Sequence, residues 1–199
     1  MSKYNNLFKI THNNQLPTQG SLLISEPFLQ ESYFQRSVVL LVEHGIEGSL
    51  GFVLNKKTDY LLNSFFPELE LYDDIPVYLG GPVSSNRLFF IHSLGESIIP
   101  NTLKINDSLY FDGDFEAVKK YIIEGNSIEG KIKFFIGYSG WTKGQLGTEI
   151  KENSWLVSQK VNNHIALLAE DESYWKLSLE LLGEKYKAWT KYPKDPHLN

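Results

Sequence analysis

The sequence predicts a single α+β domain, a mainly antiparallel sheet with a few covering helices. Three observations carry that expectation. The chain has 199 residues, the size of one domain. Strand-like runs dominate its first half, and helical ones enter late, without the regular strand–helix alternation of a doubly wound sheet. Two β-rich runs, 37–43 and 49–55, are separated by five residues. Five residues close a hairpin but cannot make a parallel crossover.

SLLIS at 21–25 reads as the first strand, followed by SVVLLVE at 37–43, which is apolar on both faces. HGIEGS turns the chain, and SLGFVLN at 49–55 returns antiparallel. Gly51 inside that returning strand implies a bulge or a close backbone approach. In TDYLLNSFF, Leu61, Leu62, Phe65 and Phe66 stand at helical spacing behind Thr58 as a cap. Strands are expected at 77–81, 87–92 and 108–111, then a helix capped by Asp112 with Phe115, Val118 and Ile122 on its apolar face. KIKFFIGY at 131–138 is the strongest late strand, expected inside the sheet because an exposed apolar edge invites aggregation. Helical turns over 145–152 and a strand at 155–158 precede the best helix, 172–182, with Trp175, Leu179 and Leu182 inward. Residues 1–19 read as an extension, 20–183 as the domain, and 184–199 as a C-terminal tail that frays.

Composition narrows the function. There is no cysteine, which removes disulfide scaffolds, thiolate metal sites and thiol catalysis. The net charge of −5 works against nonspecific nucleic-acid binding. No apolar run is long enough for a signal peptide or a membrane span, so a cytoplasmic protein with no membrane partner is expected. Of 19 basic residues only Arg36 and Arg87 are arginines. Both precede apolar strands, where the planar fork can staple a sheet edge or anchor a ligand.

The chemical motifs are sparse. No HExxH or other local histidine pair occurs, so no metal site is assigned. Neither phosphate-loop spacing is present, and no cofactor is expected. Ser139 follows a strong strand, but Gly137-Tyr138-Ser139-Gly140-Trp141 lacks the second glycine spacing of a nucleophile elbow. A hydrolase using Ser139, with His44 or His92 as base, is the alternative to a non-enzymatic protein that binds a small molecule or a protein partner.

Four strings taken in order carry a resemblance: FQRSVVLLVEHGIEGSLGFVLN (34–55), LGGPVSSNRLFFIH (79–92), GYSGWTKGQLGTEIKENSW (137–155) and the Trp175 helix. With them the chain resembles the bacterial YqgE/AlgH family. That resemblance implies a single-domain α+β fold and brings no catalytic residue set. Through one branch of the family's naming it also implies an association with transcriptional control of alginate production. Its polar matching positions are Arg36, Glu43, His44, Asn55, His92, Tyr138, Ser139 and Gln145. They would line one pocket beneath the GYSGW loop if they converge, and Arg87 joins them as a binding candidate. Two positions depart from the family pattern: Lys57 stands for a usual proline and Gly147 for a usual glutamate.

Overall fold

Ten strands form one sheet within residues 10–194, the span that the computed structural model describes. The expectations for residues 1–9, Pro196 and His197 lie outside the described residues. The strands are β1 (Leu22–Ser25), β2 (Val38–Gly45), β3 (Gly48–Val53), β4 (Lys57–Leu61), β5 (Pro76–Leu79), β6 (Val83–His92), β7 (Leu103–Lys104), β8 (Tyr110–Phe111), β9 (Ile132–Thr142) and β10 (Trp155–Ser158). Their spatial order is β10-β1-β2-β3-β9-β6-β8-β7, with β4 attached through β5 to β9. All pairs are antiparallel except β5 with β9.

The hairpin β2–β3 forms as its short connection requires, with Leu40 opposite Phe52 and a register shift between Leu41 and Glu43. Gly51 sits at that irregularity. A Cβ there would stand 2.8 Å from both the Leu40 carbonyl oxygen and Val39 Cγ1, so the close approach is real. β9 is internal. It pairs with β6 on one side, and on the other with β5 at 134–136 and β3 at 139–142.

Period-two alternation divides the core. Leu40, Phe52, Phe135 and Leu156 point to one face. Their neighbours point to the other, Val39, Leu41 and Val157 toward one end and Phe90 and Phe134 toward the opposite end. Five helices cover these faces: α1 (Phe115–Ile123), α2 (Gln145–Lys151), α3 (Asn163–Leu167), α4 (Asp171–Leu181) and α5 (Glu184–Lys187). In α4, Trp175 and Leu179 are fully buried and Leu182 packs half-buried just beyond its end. Truncating Leu179 to alanine is expected to cost about 2–5 kcal/mol through lost transfer energy and a cavity. Urea denaturation reads this directly, and a loss below about 0.5 kcal/mol would contradict the inward face.

Three local expectations are corrected. Residues 57–61 are a strand followed by a single 3₁₀ turn at Leu62–Ser64, not a helix. Thr58 Oγ1 donates to the Val77 carbonyl at 2.7 Å instead of capping. Of the apolar side chains at helical spacing only Leu62 is fully buried, and Phe65 is 48% exposed, so no core lies where a helix would need one. The cap of α1 is Asp114, whose Oδ1 accepts from Glu116 N at 2.9 Å; Asp112, two residues earlier, has φ 57° and pairs with Arg87 instead. The segment after Gly183 does not fray within the described residues. It forms α5 and a 3₁₀ turn, burying Tyr186 and Trp189 against the sheet.

Candidate functional site

The sequence-derived candidates do not gather in one pocket. Ser139 is fully buried and donates to the Gly80 carbonyl at 2.9 Å. Gly81 leaves room for its hydroxyl, because a Cβ there would collide with Ser139 Oγ. His44 is exposed on the hairpin and bonds Ser49 Oγ through Nδ1 at 2.7 Å. His92 pairs with Ile132 at the opposite end of β9, seven residues or about 23 Å from Ser139 along the strand. Neither candidate histidine bonds Ser139, whose buried hydroxyl is committed to the Gly80 carbonyl, and the hydrolase reading falls on that geometry.

The remaining candidates have traceable duties. His92 Nδ1 accepts from Leu94 N at 3.3 Å, which leaves Nε2–H to face Thr102 Oγ1 at 2.9 Å and the Asp112 carbonyl at 3.2 Å. Burial lowers its pKa to about 4. The unfolded chain takes up that proton near the ordinary 6.5, so stability is full above pH 6.5 and falls as pH drops toward 4. The loss from this group approaches about 3 kcal/mol. Denaturation of wild type and His92→Gln across pH 4–7.5 should show a gap that changes only in that window. A pH-independent gap would contradict a buried neutral imidazole.

Arg87 lies exposed, its guanidinium paired with Asp112 and 5.0 Å from the Phe89 ring. Glu43 is exposed, and Tyr138 packs edge-on to Phe89. Gln145 accepts from Thr142 N at 3.0 Å and donates to Glu149 Oε1 at 2.9 Å. Glu149 Oε2 in turn accepts both indole N–H groups of Trp141 and Trp155, each at 2.8 Å, locking the GYSGW strand to α2. Gly147 faces open space, so the missing glutamate of the family pattern leaves nothing unpaired there.

Arg36 and Asn55 do come together. Asn55 is 1% exposed; its amide donates to the carbonyls of Arg36 and Asp171, at 3.0 and 2.6 Å, while its oxygen accepts from Val38 N at 2.9 Å. Both residues it holds carry positive φ, 50° for Arg36 and 46° for Asp171, a conformation that costs non-glycine residues energy. The buried Arg36 guanidinium bonds Glu172 at 2.9 Å and the Tyr192 carbonyl at 2.6 Å, over the Trp175 ring. This joint fixes the start of α4 against β2 and β3.

What it fixes is the wall of a cavity. Immediately before α4, Glu170 reaches Tyr78, whose hydroxyl donates to Oε1 at 2.7 Å. Lys57, the residue in place of a usual proline, stands 3.8 Å from the same carboxylate. Beneath the Tyr78 ring, 3.6 Å from its centroid, lies the Lys133 ammonium nitrogen. Lys133 is 2% exposed and donates to the carbonyls of Leu167, the last residue of α3, and Ala169 just beyond it. The sequence reading passed over it. Tyr78, Lys133 and Glu170 line a cavity of about 690 Å³ together with Ile75, Ile122, Ile128, Phe134 and Leu167. Asp73, Asp74 and Glu129 stand exposed at its lining. Burial lowers the Lys133 pKa to about 7, against the attraction of Glu170. Burial also raises the pKa of Tyr78, reinforced by its bond to Glu170, so its phenol stays protonated.

Among the described residues, no three His, Asp or Glu side chains assemble a possible metal site, and no helix is long and apolar enough to cross a membrane.

The fold and the sequence both have relatives. A solved structure from Corynebacterium diphtheriae superposes with a TM-score of 0.75 at 20% identity, covering 96% of this chain and 100% of that one. The solution structure of the AlgH protein from Pseudomonas aeruginosa gives a TM-score of 0.68 at 28% identity, covering 90% and 97%. A UPF0301 protein of Parabacteroides distasonis is 67% identical over the full length of both chains, and one of Bacteroides fragilis is 50% identical over 97% of each. The profile described as AlgH-like matches residues 22–187. On that match, from the first strand through α5, the chain belongs to the AlgH-like (UPF0301) family.

Proposed function

We propose that the protein is a non-enzymatic, cytoplasmic binding protein that holds a small molecule in the cavity between β5, β9 and the α3–α4 connection. Occupancy rather than turnover is its output, which suits a regulatory role. One observation carries the reading: a charged-type side chain, Lys133, is buried among apolar side chains of the cavity wall beside a Tyr78–Glu170 pair. Apolar walls with a few placed polar groups are the ordinary make-up of a ligand site. The acidic residues at the lining repel anions, so the ligand is neutral or cationic.

Amide NMR titration with three neutral probes, indole, benzyl alcohol and cyclohexanol, tests this. At least one is expected to shift resonances of residues 72–76, 125–134 and 167–170 together. Shifts confined to other parts of the sheet, or none with any probe, would overturn the reading.

A further inference from the structure

Lysine is an expensive residue to bury, and a strand position with apolar neighbours could be filled by methionine or leucine. Lys133 is nevertheless 2% exposed, in the central strand, on the wall of a cavity. Its setting has two features beyond burial. Two carbonyl oxygens, of Leu167 and Ala169, accept its N–H groups and fix the nitrogen in place. The face of the Tyr78 ring, whose hydroxyl donates to Glu170 at 2.7 Å, covers the same nitrogen at 3.6 Å from its centroid. An amine that two acceptors orient, beside a proton donor with a carboxylate behind it, is equipped to add to a carbonyl group.

We propose that Lys133 captures small aldehydes or ketones as imines inside the cavity. This rests on the binding reading above and deepens it, because capture is reversible and consumes no further reactant. The neutral nitrogen attacks the carbonyl carbon, a C–N bond forms, and the carbonyl electron pair moves to oxygen. The two nitrogen protons and that oxygen then leave as water while the C=N bond forms. The Tyr78 hydroxyl and Glu170 carboxylate, hydrogen-bonded to each other on the same wall, relay these protons from nitrogen to oxygen through water. The incoming group takes the place of the Tyr78 ring contact on the nitrogen. Burial favours the required unprotonated amine, with a pKa near 7. The acidic lining sets the class: a neutral or cationic carbonyl compound with an apolar body, and not a keto acid.

The experiment is reductive trapping of the full chain at neutral pH with 4-hydroxybenzaldehyde and cyanoborohydride, read by intact mass and peptide mapping. 4-Hydroxybenzyl alcohol serves as the carbonyl-free partner, followed by amide NMR. A single adduct at Lys133 among the 17 lysines is expected. Lys133→Met should lose it, and Tyr78→Phe should trap more slowly. Pyruvate should trap more slowly than the aldehyde. Adducts spread over exposed lysines, with the alcohol still shifting cavity residues, would overturn imine capture and leave the binding reading standing. Absence of shifts with the alcohol together with spread adducts would overturn both. Equal trapping of pyruvate would overturn the assigned ligand class.

Discussion

Lys133→Met is expected to stabilise the protein at neutral pH, by about 1–3 kcal/mol. The direction follows from solvation. Lys133 titrates near 7 when folded against an ordinary 10.5, so folding at pH 7 must either desolvate an ammonium or release its proton. Methionine fills the same channel with no charge to desolvate. The gain is reduced because the carbonyls of Leu167 and Ala169 lose a donor. A pH signature separates this from better packing. With the folded pKa depressed, the unfolded wild type binds more protons between pH 7 and 10.5. Its stability therefore rises with pH there, and the advantage of the variant shrinks. Urea denaturation at pH 7 and 9.5 measures both. A variant less stable than wild type at pH 7 would show that Lys133 is a structural cation, held by the α3 carbonyls and the Tyr78 ring.

Glu149→Ala is expected to destabilise by about 2–4 kcal/mol. One carboxylate oxygen accepts both indole N–H groups, of Trp141 and Trp155, which are 5% and 1% exposed. Truncation leaves two buried donors without a charged acceptor and frees Gln145 from its partner. Partial access of water to the gap keeps the cost below the sum of two charged bonds. Glu149→Gln keeps one acceptor oxygen but sets its amide against a neighbouring donor, so an intermediate loss is expected. Denaturant titration followed by tryptophan fluorescence reads the effect. A loss under about 0.5 kcal/mol for Glu149→Ala would mean that α2 is held by Leu146 and Ile150 packing alone.

The sheet was legible wherever a local rule left one solution. Five residues between 37–43 and 49–55 allow only a hairpin, and IKFFI at an open edge would aggregate, so β9 had to be internal. α4 was legible because Trp175 and Leu179 fall on one stripe. Residues 57–61 misled because Leu61, Leu62, Phe65 and Phe66 suit a helix, whereas the strand ladder with β5 is a long-range choice invisible in a window. The tail misled through its lysines and prolines, while Tyr186 and Trp189 supplied apolar area enough to dock it.

The site was less legible than the fold. Arg36 and Asn55 stand in the sequence as polar family-matching positions and binding candidates, and in the fold they build the α4 joint, where Asn55 holds two positive-φ backbones. Lys133 carried a usable signal: it shares strand parity with the core residue Phe135, so a strand internal to the sheet must bury it. The cavity itself depends on Tyr78, Ile122 and Glu170 meeting from three distant segments, and nothing in their local sequence marks that meeting.

The Lys133 side chain can be followed directly, by Cε and Hε chemical shifts of the labelled amine through a pH titration of the folded chain. The charges of Glu170 and Lys57 act on it in opposite directions, and the Tyr78 ring covers it. The account predicts a midpoint near 7, far below the ordinary 10.5, and its loss in Lys133→Met. A midpoint near 10.5 would contradict the buried, reactive amine on which the proposed site rests.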